Sequence, residues 1–289
     1  MPATFPPSAA PAFRGRLGAT PRSGYPAVPH RYRLHLSLSC TDALRIAVTH
    51  RLLGLDRTVP VSVLPAVPDA PGGGHLALRG LYQASDHGHR GPLTAPVLSD
   101  DWTGRVVSTH TADILDDLTR HFTHDQPADP RPRGGGTALT AVARLCEQGI
   151  DTAAQQAGRA DSTGTARDAA LRTLLRGLAA AERRLTRRDH LLDDRLTLAD
   201  VHLWATLVTL DTVHRAHLDA AAVHRLTDHP HLWAYARRLT AHPAFGPLLD
   251  LDGIVRRHHA HCRGREAAGA AMPIVDWASA ARQPSSLPA

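Results

Sequence analysis

A run of Pro and Gly at residues 125–136 (DQPADPRPRGGG) constrains the fold more than any other feature of the chain. Pro lacks the amide donor and Gly carries a high backbone entropy, so neither a helix nor a sheet ladder is expected to continue through this run. Strand and helix periods are mixed before it, and the pattern after it is helical. Since the chain has 289 residues, about twice the roughly 150 of one domain, we expect an N-terminal α/β domain and a C-terminal all-α domain.

The first half reads as β-α-β, a loop, then β-β-α. Leu34, Leu36 and Leu38 alternate with polar residues and predict a strand that leads into Cys40. Apolar residues then fall at helical spacing up to Gly54, a natural helix stop. The remaining expected elements are a strand at 59–63, a Gly/His-rich loop at 72–91, a short apolar run at 95–98, a strand at 106–107 and a helix at 114–122.

The second half is expected to consist of amphipathic helices. One apolar face runs from Leu171 to Leu185, and Thr197 with Asp200 forms a capping-box pattern that opens an apolar helix. Two further helices are expected at 231–242 and 252–261. The complete predicted organisation is a flexible arm (1–30), an α/β domain (31–125), a linker (126–136), a helical domain (137–262) and a tail (263–289).

The composition excludes several classes of protein. All 33 basic residues are Arg, and Lys and Asn are absent, which indicates a high-GC genome and weakens any inference from the pI of about 10.0. Nucleic-acid binding is not expected, because Arg is scattered and aromatic residues are only 4%. The sequence has no apolar run of membrane-spanning length, no secretory signal pattern and no CxxC spacing, so we expect a cytoplasmic protein with reduced thiols.

Cys40 is the most informative residue, because an alternating strand gives way to a helix there. At a helix N-terminus the backbone N–H groups and the positive dipole end stabilise a thiolate, the nucleophilic form of Cys. The alternative is that Cys40 is simply packed in the core, as free Cys often is. Pro96, within the apolar run 95–98, favours the first reading, since thioredoxin-like folds carry a cis proline before the third strand, beside the reactive cysteine.

Four segments, in order and at matching spacing, resemble the glutathionyl-hydroquinone reductases, the xi class of glutathione transferases. Residues 23–32 (SGYPAVPHRY) with the strand into Cys40 resemble the family's entry to its catalytic cysteine. Residues 95–107 (APVLSDDWTGRVV) resemble its proline strand and following turn. Residues 147–150 (EQGI) and the run from 196–200 (LTLAD) to Asp211 resemble segments of its helical domain.

The resemblance implies a thioredoxin-like domain joined to an all-helical glutathione-transferase domain, in a homodimer. It implies a thiol-dependent reductase acting on thiol conjugates of hydroquinones, with Cys40 as the catalytic nucleophile and no metal. The thiol-binding residues that it implies are Asp42, Arg45, Ala95, Pro96, His110 and Thr111. The implied substrate-binding residues, which replace the family's tyrosines, are His214, His258 and His259.

The chain departs from the family at the site itself. Thr41 and Asp42 stand where the family has Pro-Trp, and His110 with Thr111 stands where it has the Glu-Ser pair that grips glutathione. A carboxylate about 6 Å from the sulfur disfavours the thiolate by on the order of 0.7 kcal/mol in a water-like dielectric. The helix dipole and Arg45 act in the opposite direction, so we expect a less acidic thiol than the family's, though not an inert one. Loss of the Glu-Ser grip makes mycothiol an alternative to glutathione as the co-substrate.

Two further alternatives follow from these departures. A protein that kept the fold but lost the reaction, and that serves in ligand binding or assembly, is the rival to the reductase. A metal site is not expected, because adjacent helical residues point about 100° apart and only a pair such as His258 and Cys262 shares a face.

Overall fold

The computed structural model describes residues 13–18, 24–122, 129–133, 135–159, 163–262 and 272–282. The chain divides into two compact units, residues 1–130 and 131–289, and the division falls inside the stretch expected to be a linker. Within the described part of the chain, no helix is both long and apolar enough to cross a bilayer. Residues 1–12 and 19–23 of the expected arm, 123–128 and 134 of the linker region, and 263–271 and 283–289 of the tail lie outside the described residues.

The first unit is built on a four-stranded sheet. Its strands are β3 (Tyr32–Leu36), β4 (Val61–Val63), β5 (Val97–Asp100) and β6 (Arg105–Ser108), while β1 (Leu17–Gly18) and β2 (Tyr25–Pro26) form a separate pair. The spatial order is β4-β3-β5-β6, with β3 parallel to β4 and antiparallel to β5. Burial alternates along β3 as the sequence predicts, with Tyr32, Leu34 and Leu36 fully buried.

Three helices complete this unit: α1 (Thr41–Leu52), α2 (Arg79–Ser85) and α3 (Thr111–His121). Helix α1 ends just before Gly54, whose φ of 59° is the left-handed conformation that favours glycine. The thioredoxin-like prediction is confirmed, and the Ala95–Pro96 peptide bond is cis as expected.

The prediction of a continuous loop at 72–91 is wrong, because this stretch contains α2. The helix is anchored by Tyr82, which is 1% exposed and whose hydroxyl donates to the Thr94 carbonyl at 2.8 Å. Leu78 is buried in the same cluster as Tyr82, and Leu81 packs against it, so a few apolar side chains hold the helix within a Gly- and His-rich stretch.

Residues 13–18, part of the stretch expected to be a flexible arm, bond to the rest of the first unit. Asp117 is fully buried, and its carboxylate accepts from the Arg16 Nε and the Leu17 amide, each at 2.8 Å. The Gly15 amide donates to the Val107 carbonyl at 2.8 Å, which extends the sheet beyond β6. A buried carboxylate needs partners, and the arm supplies them.

The second unit is helical, with two π-helical stretches and short 3₁₀ turns. Its helices are α4 (Gly135–Arg144), α5 (Ala153–Ala157), α6 (Gly164–Leu185), α7 (Leu198–Thr209), α8 (Ala220–Thr227), α9 (Pro230–Thr240), α10 (Leu251–His261) and α11 (Trp277–Arg282). The π-helical stretches are Leu145–Thr152 and Leu210–His214, and a 3₁₀ turn follows at Arg215–His217. A Cβ on Gly177 would lie 2.7 Å from the Gly149 carbonyl oxygen, so glycine at position 177 lets α6 approach the first π-helical stretch.

The expected tail also contains ordered structure. Asp211 is fully buried and accepts from the amides of Ile274 and Val275 and from the indole Nε1 of Trp277, at 2.9 to 3.0 Å. Helix α11 follows directly. The Ala-, Pro- and Ser-rich composition hid this anchor, because the acceptor lies more than sixty residues earlier in the chain.

The capping box at Thr197 and Asp200 is present at the start of α7. Both residues are fully buried. Asp200 accepts from the Leu191 amide and the Tyr235 hydroxyl through Oδ1, and from the Thr197 amide and hydroxyl through Oδ2. Burial, with the adjacent carboxylate, raises the pKa of Tyr235 well above its usual value, so its phenol stays a hydrogen-bond donor.

We predict that Asp200→Asn lowers the free energy of unfolding by about 2–4 kcal/mol, because the amide offers one acceptor oxygen where the carboxylate offers two. The matched control is Thr163→Ala, which removes the exposed cap of α6 and is expected to cost about 1 kcal/mol or less. Denaturant titration of both variants checks this. An Asp200→Asn loss no larger than that of the control contradicts the assigned role.

Candidate functional site

Cys40 lies at the N-cap of α1, as the sequence predicts. Its backbone is extended (φ −100°, ψ 130°), its amide donates to the Ser37 carbonyl at 2.9 Å, and its carbonyl accepts the Leu44 amide at 2.9 Å. The side chain is half-buried. The first-turn amides, which have no acceptor within a helix, surround such a position and favour an anionic sulfur.

Sheet topology brings the predicted thiol-binding segments to one edge. Strand β3 runs toward Cys40, and its antiparallel partner β5 begins with Val97 opposite His35. Continuing this register by one residue places Pro96 opposite Leu36. Strand β6 pairs Ser108 with Leu98 and then leads into His110. The end of β3, the start of β5 and the end of β6 therefore meet at the same edge of the sheet.

Two serines that sequence reasoning missed hold the turn before Cys40. The Ser39 hydroxyl donates to the Ala66 carbonyl at 2.6 Å, and the Ser37 hydroxyl donates to the Pro65 carbonyl at 2.9 Å. Both serines are buried. The sequence shows both serines as small polar residues that continue the alternation with the leucines of β3. Their acceptors lie after β4, and periodicity cannot identify them.

Asp42 does not act on the sulfur as an isolated charge. Its Oδ1 lies 2.9 Å from Nη1 of Arg45, one turn further along α1, and the side chains are 47% and 11% exposed, respectively. The ion pair offsets most of the unfavourable field that Asp42 alone would impose on Cys40. The expected loss of thiol reactivity thus depends on whether Arg45 stays paired.

We predict that Arg45→Met slows alkylation of Cys40 by iodoacetamide about threefold at neutral pH, because the unbalanced Asp42 charge then disfavours the thiolate. The double variant Asp42→Asn with Arg45→Met is expected to restore the rate. Mass spectrometry of the Cys40 peptide measures the rate, and buried Cys146 serves as an internal check that the protein is folded. Equal rates in the wild type and Arg45→Met would refute this coupling.

His110 belongs to a local polar network at the start of α3. Its Nδ1 accepts the Asp113 amide as the helix cap and lies 3.2 Å from Nη2 of Arg14. Arg14 also donates to both oxygens of Asp113, at 2.8 and 3.0 Å. Burial acts to raise the pKa of Asp113, but the bonds from Arg14 and the contact with His110 outweigh it and hold that pKa below its usual range. His110 is thereby tied to the arm, and Thr111 opens the helix beside it.

The three histidines expected to bind substrate have different environments in the second unit. His214 ends the second π-helical stretch and is buried, His258 is half-buried on α10, and His259 beside it is exposed. Burial lowers the pKa of His214 to about 4, with a further contribution from His217 and His258. Its imidazole is therefore neutral near pH 7.

We predict that His214 lowers the free energy of unfolding as the pH falls. Its folded pKa of about 4 lies below the unfolded value of about 6.5, so the unfolded chain binds the extra proton as the pH falls between these values. The contribution of His214 to the free energy of unfolding is fully present above about pH 6.5 and decreases toward pH 4. The decrease amounts to about 2–3 kcal/mol at pH 4.5.

Urea unfolding at pH 7 and pH 4.5 measures this term. His214→Gln is expected to shrink the difference between the two pH values, while exposed His224→Gln is expected to leave it unchanged. The same difference in His214→Gln as in the wild type would rule the assignment out.

One cluster of metal-ligand residues was not foreseen. The sequence paired only His258 with Cys262, but the structure adds His217 from the 3₁₀ turn, and the three ligand atoms lie within 4.8 Å of one another. The third ligand lies more than forty residues earlier in the chain, where helical periodicity gives no signal.

One family model and several curated proteins match this chain. The family described as Glutathione S-transferase, C-terminal domain, matches residues 164–238. Glutathionyl-hydroquinone reductase PcpF of Sphingobium chlorophenolicum is 28% identical over 83% of this chain and 80% of its own length. Glutathionyl-hydroquinone reductase YqjG of Escherichia coli is also 28% identical, over 85% and 79%.

Solved structures show the same fold. The glutathione-bound structure of Escherichia coli YqjG superposes with a TM-score of 0.74 at 27% identity, covering 86% of this chain and 87% of that one. A glutathione transferase from Gordonia bronchialis gives a TM-score of 0.75 at 26% identity, covering 93% and 91%.

Proposed function

We propose that the chain is a thiol-dependent reductase of thiol-hydroquinone conjugates. The proposal starts from its 28% identity to two glutathionyl-hydroquinone reductases, members of the xi class of the glutathione transferase superfamily. The observation that carries the proposal is the position of Cys40: a half-buried thiol at the N-cap of α1, on the sheet edge where the starts of β5 and α3 also lie. The names of the relatives support the substrate class.

The reaction that we propose has two balanced steps. The Cys40 thiolate attacks the sulfur of the thioether, so the aryl C–S bond breaks as a Cys40 S–S bond forms. The aromatic carbon takes the electron pair and a proton, which releases the hydroquinone. A second thiol then attacks the mixed disulfide, leaves as a low-molecular-weight disulfide and returns the Cys40 thiolate. The sulfurs are oxidised, and the aromatic ring is reduced.

The residues at the sheet edge bind the thiol in this proposal. The first-turn amides of α1 stabilise the thiolate before attack and after resolution. The backbone at Ala95 and Pro96 offers a peptide edge to the thiol substrate, as the family resemblance implies. Arg45, held against Asp42, keeps the local charge near neutral. His110 and Thr111 contact the distal end of the thiol.

Glutathione is the co-substrate that the relatives support, since the Escherichia coli structure holds it. Mycothiol is the second candidate, because His110 caps α3 and contacts Arg14 where the family has a residue that grips the γ-glutamyl end. An uncharged sugar-based thiol makes less demand on that position than a zwitterion does. The proposal further assigns His214, His258 and His259 to the aromatic substrate, as hydrogen-bond donors in place of tyrosines.

The proposal also covers the location, oligomeric state and partners of the enzyme. We place it in the cytoplasm as a homodimer that acts on a small aromatic thioether and requires neither nucleic acid nor a membrane. The rival function, a ligand-binding protein with a lapsed active site, is kept as an outcome of the experiment below.

Intact-mass spectrometry of the reduced full-length protein after exposure to glutathionyl- and mycothiyl-hydroquinone tests the proposal. We expect one mixed disulfide per chain in the wild type, none in Cys40→Ser, and an undiminished adduct in Cys262→Ser, whose thiol is also half-buried. The mass of the adduct identifies the thiol, and chromatography detects the released hydroquinone. No adduct with either conjugate favours the lapsed protein, and an adduct retained in Cys40→Ser overturns the assigned nucleophile.

A further inference from the structure

A second cluster of reactive side chains lies entirely within the second unit. His217 Nε2 is 3.0 Å from His258 Nε2 and 3.5 Å from Cys262 Sγ. His258 lies in the last turn of α10, and Cys262 caps its C-terminus, with the Cys262 amide donating to the His258 carbonyl at 2.7 Å. His217 comes from the 3₁₀ turn Arg215–His217.

The turn that carries His217 is held on both sides. Arg215 is buried, and its Nε donates to the Oδ1 and the carbonyl of buried Asp211, at 2.9 and 3.0 Å. A Cβ on Gly158, at the end of α5, would lie 2.7 Å from the His217 Cβ, so glycine is needed for the close packing there. These contacts fix the His217 backbone opposite the C-terminal turn of α10 and limit its rearrangement.

The distances suit a tetrahedral zinc ion. Zn–N bonds of about 2.0–2.1 Å and Zn–S bonds of about 2.3 Å at tetrahedral angles separate an N and an S ligand by about 3.5 Å, and two N ligands by about 3.3 Å. The observed His217 Nε2–Cys262 Sγ separation is 3.5 Å, and the separation between the two Nε2 atoms is 3.0 Å. The ligand atoms of His258 and Cys262 lie within 4.8 Å of each other, and closure of that pair toward about 3.5 Å completes the tetrahedral spacing.

The three ligand side chains favour a transition metal over Mg²⁺ or Ca²⁺. Two imidazoles and a thiolate suit a borderline-soft transition metal, and they do not suit Mg²⁺ or Ca²⁺, which take oxygen ligands. The three residues are half-buried, which leaves an ion a path from solvent. Three protein ligands leave a fourth tetrahedral position for water or a substrate oxygen.

We propose that His217, His258 and Cys262 bind a zinc ion with one open coordination position. The site goes beyond the proposed reductase activity, since Cys40 and its sheet edge belong to the first unit. Binding would release the Cys262 thiol proton and occupy Nε2 of His258.

Cobalt substitution of the reduced, metal-free, full-length protein tests this inference. A tetrahedral Co²⁺ site with a thiolate ligand shows a near-ultraviolet sulfur-to-cobalt charge-transfer band together with intense visible d–d bands. We expect these bands to saturate at one Co²⁺ per chain and to be displaced by Zn²⁺. Absence of the charge-transfer band in the wild type overturns the proposal, and the 3.0 Å contact is then a hydrogen bond between the two imidazoles.

Matched variants separate this site from adventitious binding by the 20 histidines. Cys262→Ser is expected to lose the charge-transfer band, and His217→Ala is expected to weaken Zn²⁺ binding about tenfold or more. Exposed His259→Ala and the thiol control Cys40→Ser are expected to keep both the band and the affinity. A band that persists in Cys262→Ser, or that disappears in Cys40→Ser, contradicts the assignment even if every variant is folded by circular dichroism.

Discussion

The antiparallel pairing of β3 with β5 is the constraint on which the proposed active site depends. Its register, with His35 opposite Val97, sets the end of one strand beside the start of the other. Cys40 follows the first strand, and Pro96 precedes the second. A shift of one residue would turn the alternating face of β3 outward and expose Tyr32, Leu34 and Leu36, which are fully buried. The hydrophobic core of the first unit thereby fixes the geometry at the edge.

Charge at this edge is organised in ion pairs, one within a single helix turn and one between distant segments. Asp42 is balanced by Arg45 within α1, and Asp113 is balanced by Arg14 from the N-terminal segment. The second pair ties the start of α3, and with it His110, to a stretch more than ninety residues earlier. A capping residue at position 110 keeps the start of α3 intact. In the proposed function, this position affects which thiol binds.

Local periodicity was enough to predict the order of strands and helices along the first half of the chain, the N-cap position of Cys40 and the capping box at Asp200, because each depends on neighbours within a few residues. It was not enough for α2, a short helix in a Gly- and His-rich stretch that Tyr82 and its apolar neighbours anchor, or for the tail, which is held by Asp211. The His217–His258–Cys262 cluster was missed for the same reason, since its ligands come from two elements. Contacts between residues far apart in sequence carry no period that a single chain reveals.

The central claim is that Cys40 performs one redox event per chain before any second thiol is needed. Rapid mixing of the reduced protein with excess thiol-hydroquinone conjugate, in the absence of free thiol, measures this directly. The account predicts a burst of one equivalent of hydroquinone per chain, followed by no turnover until glutathione or mycothiol is added. No burst, or steady release without added thiol, would contradict it.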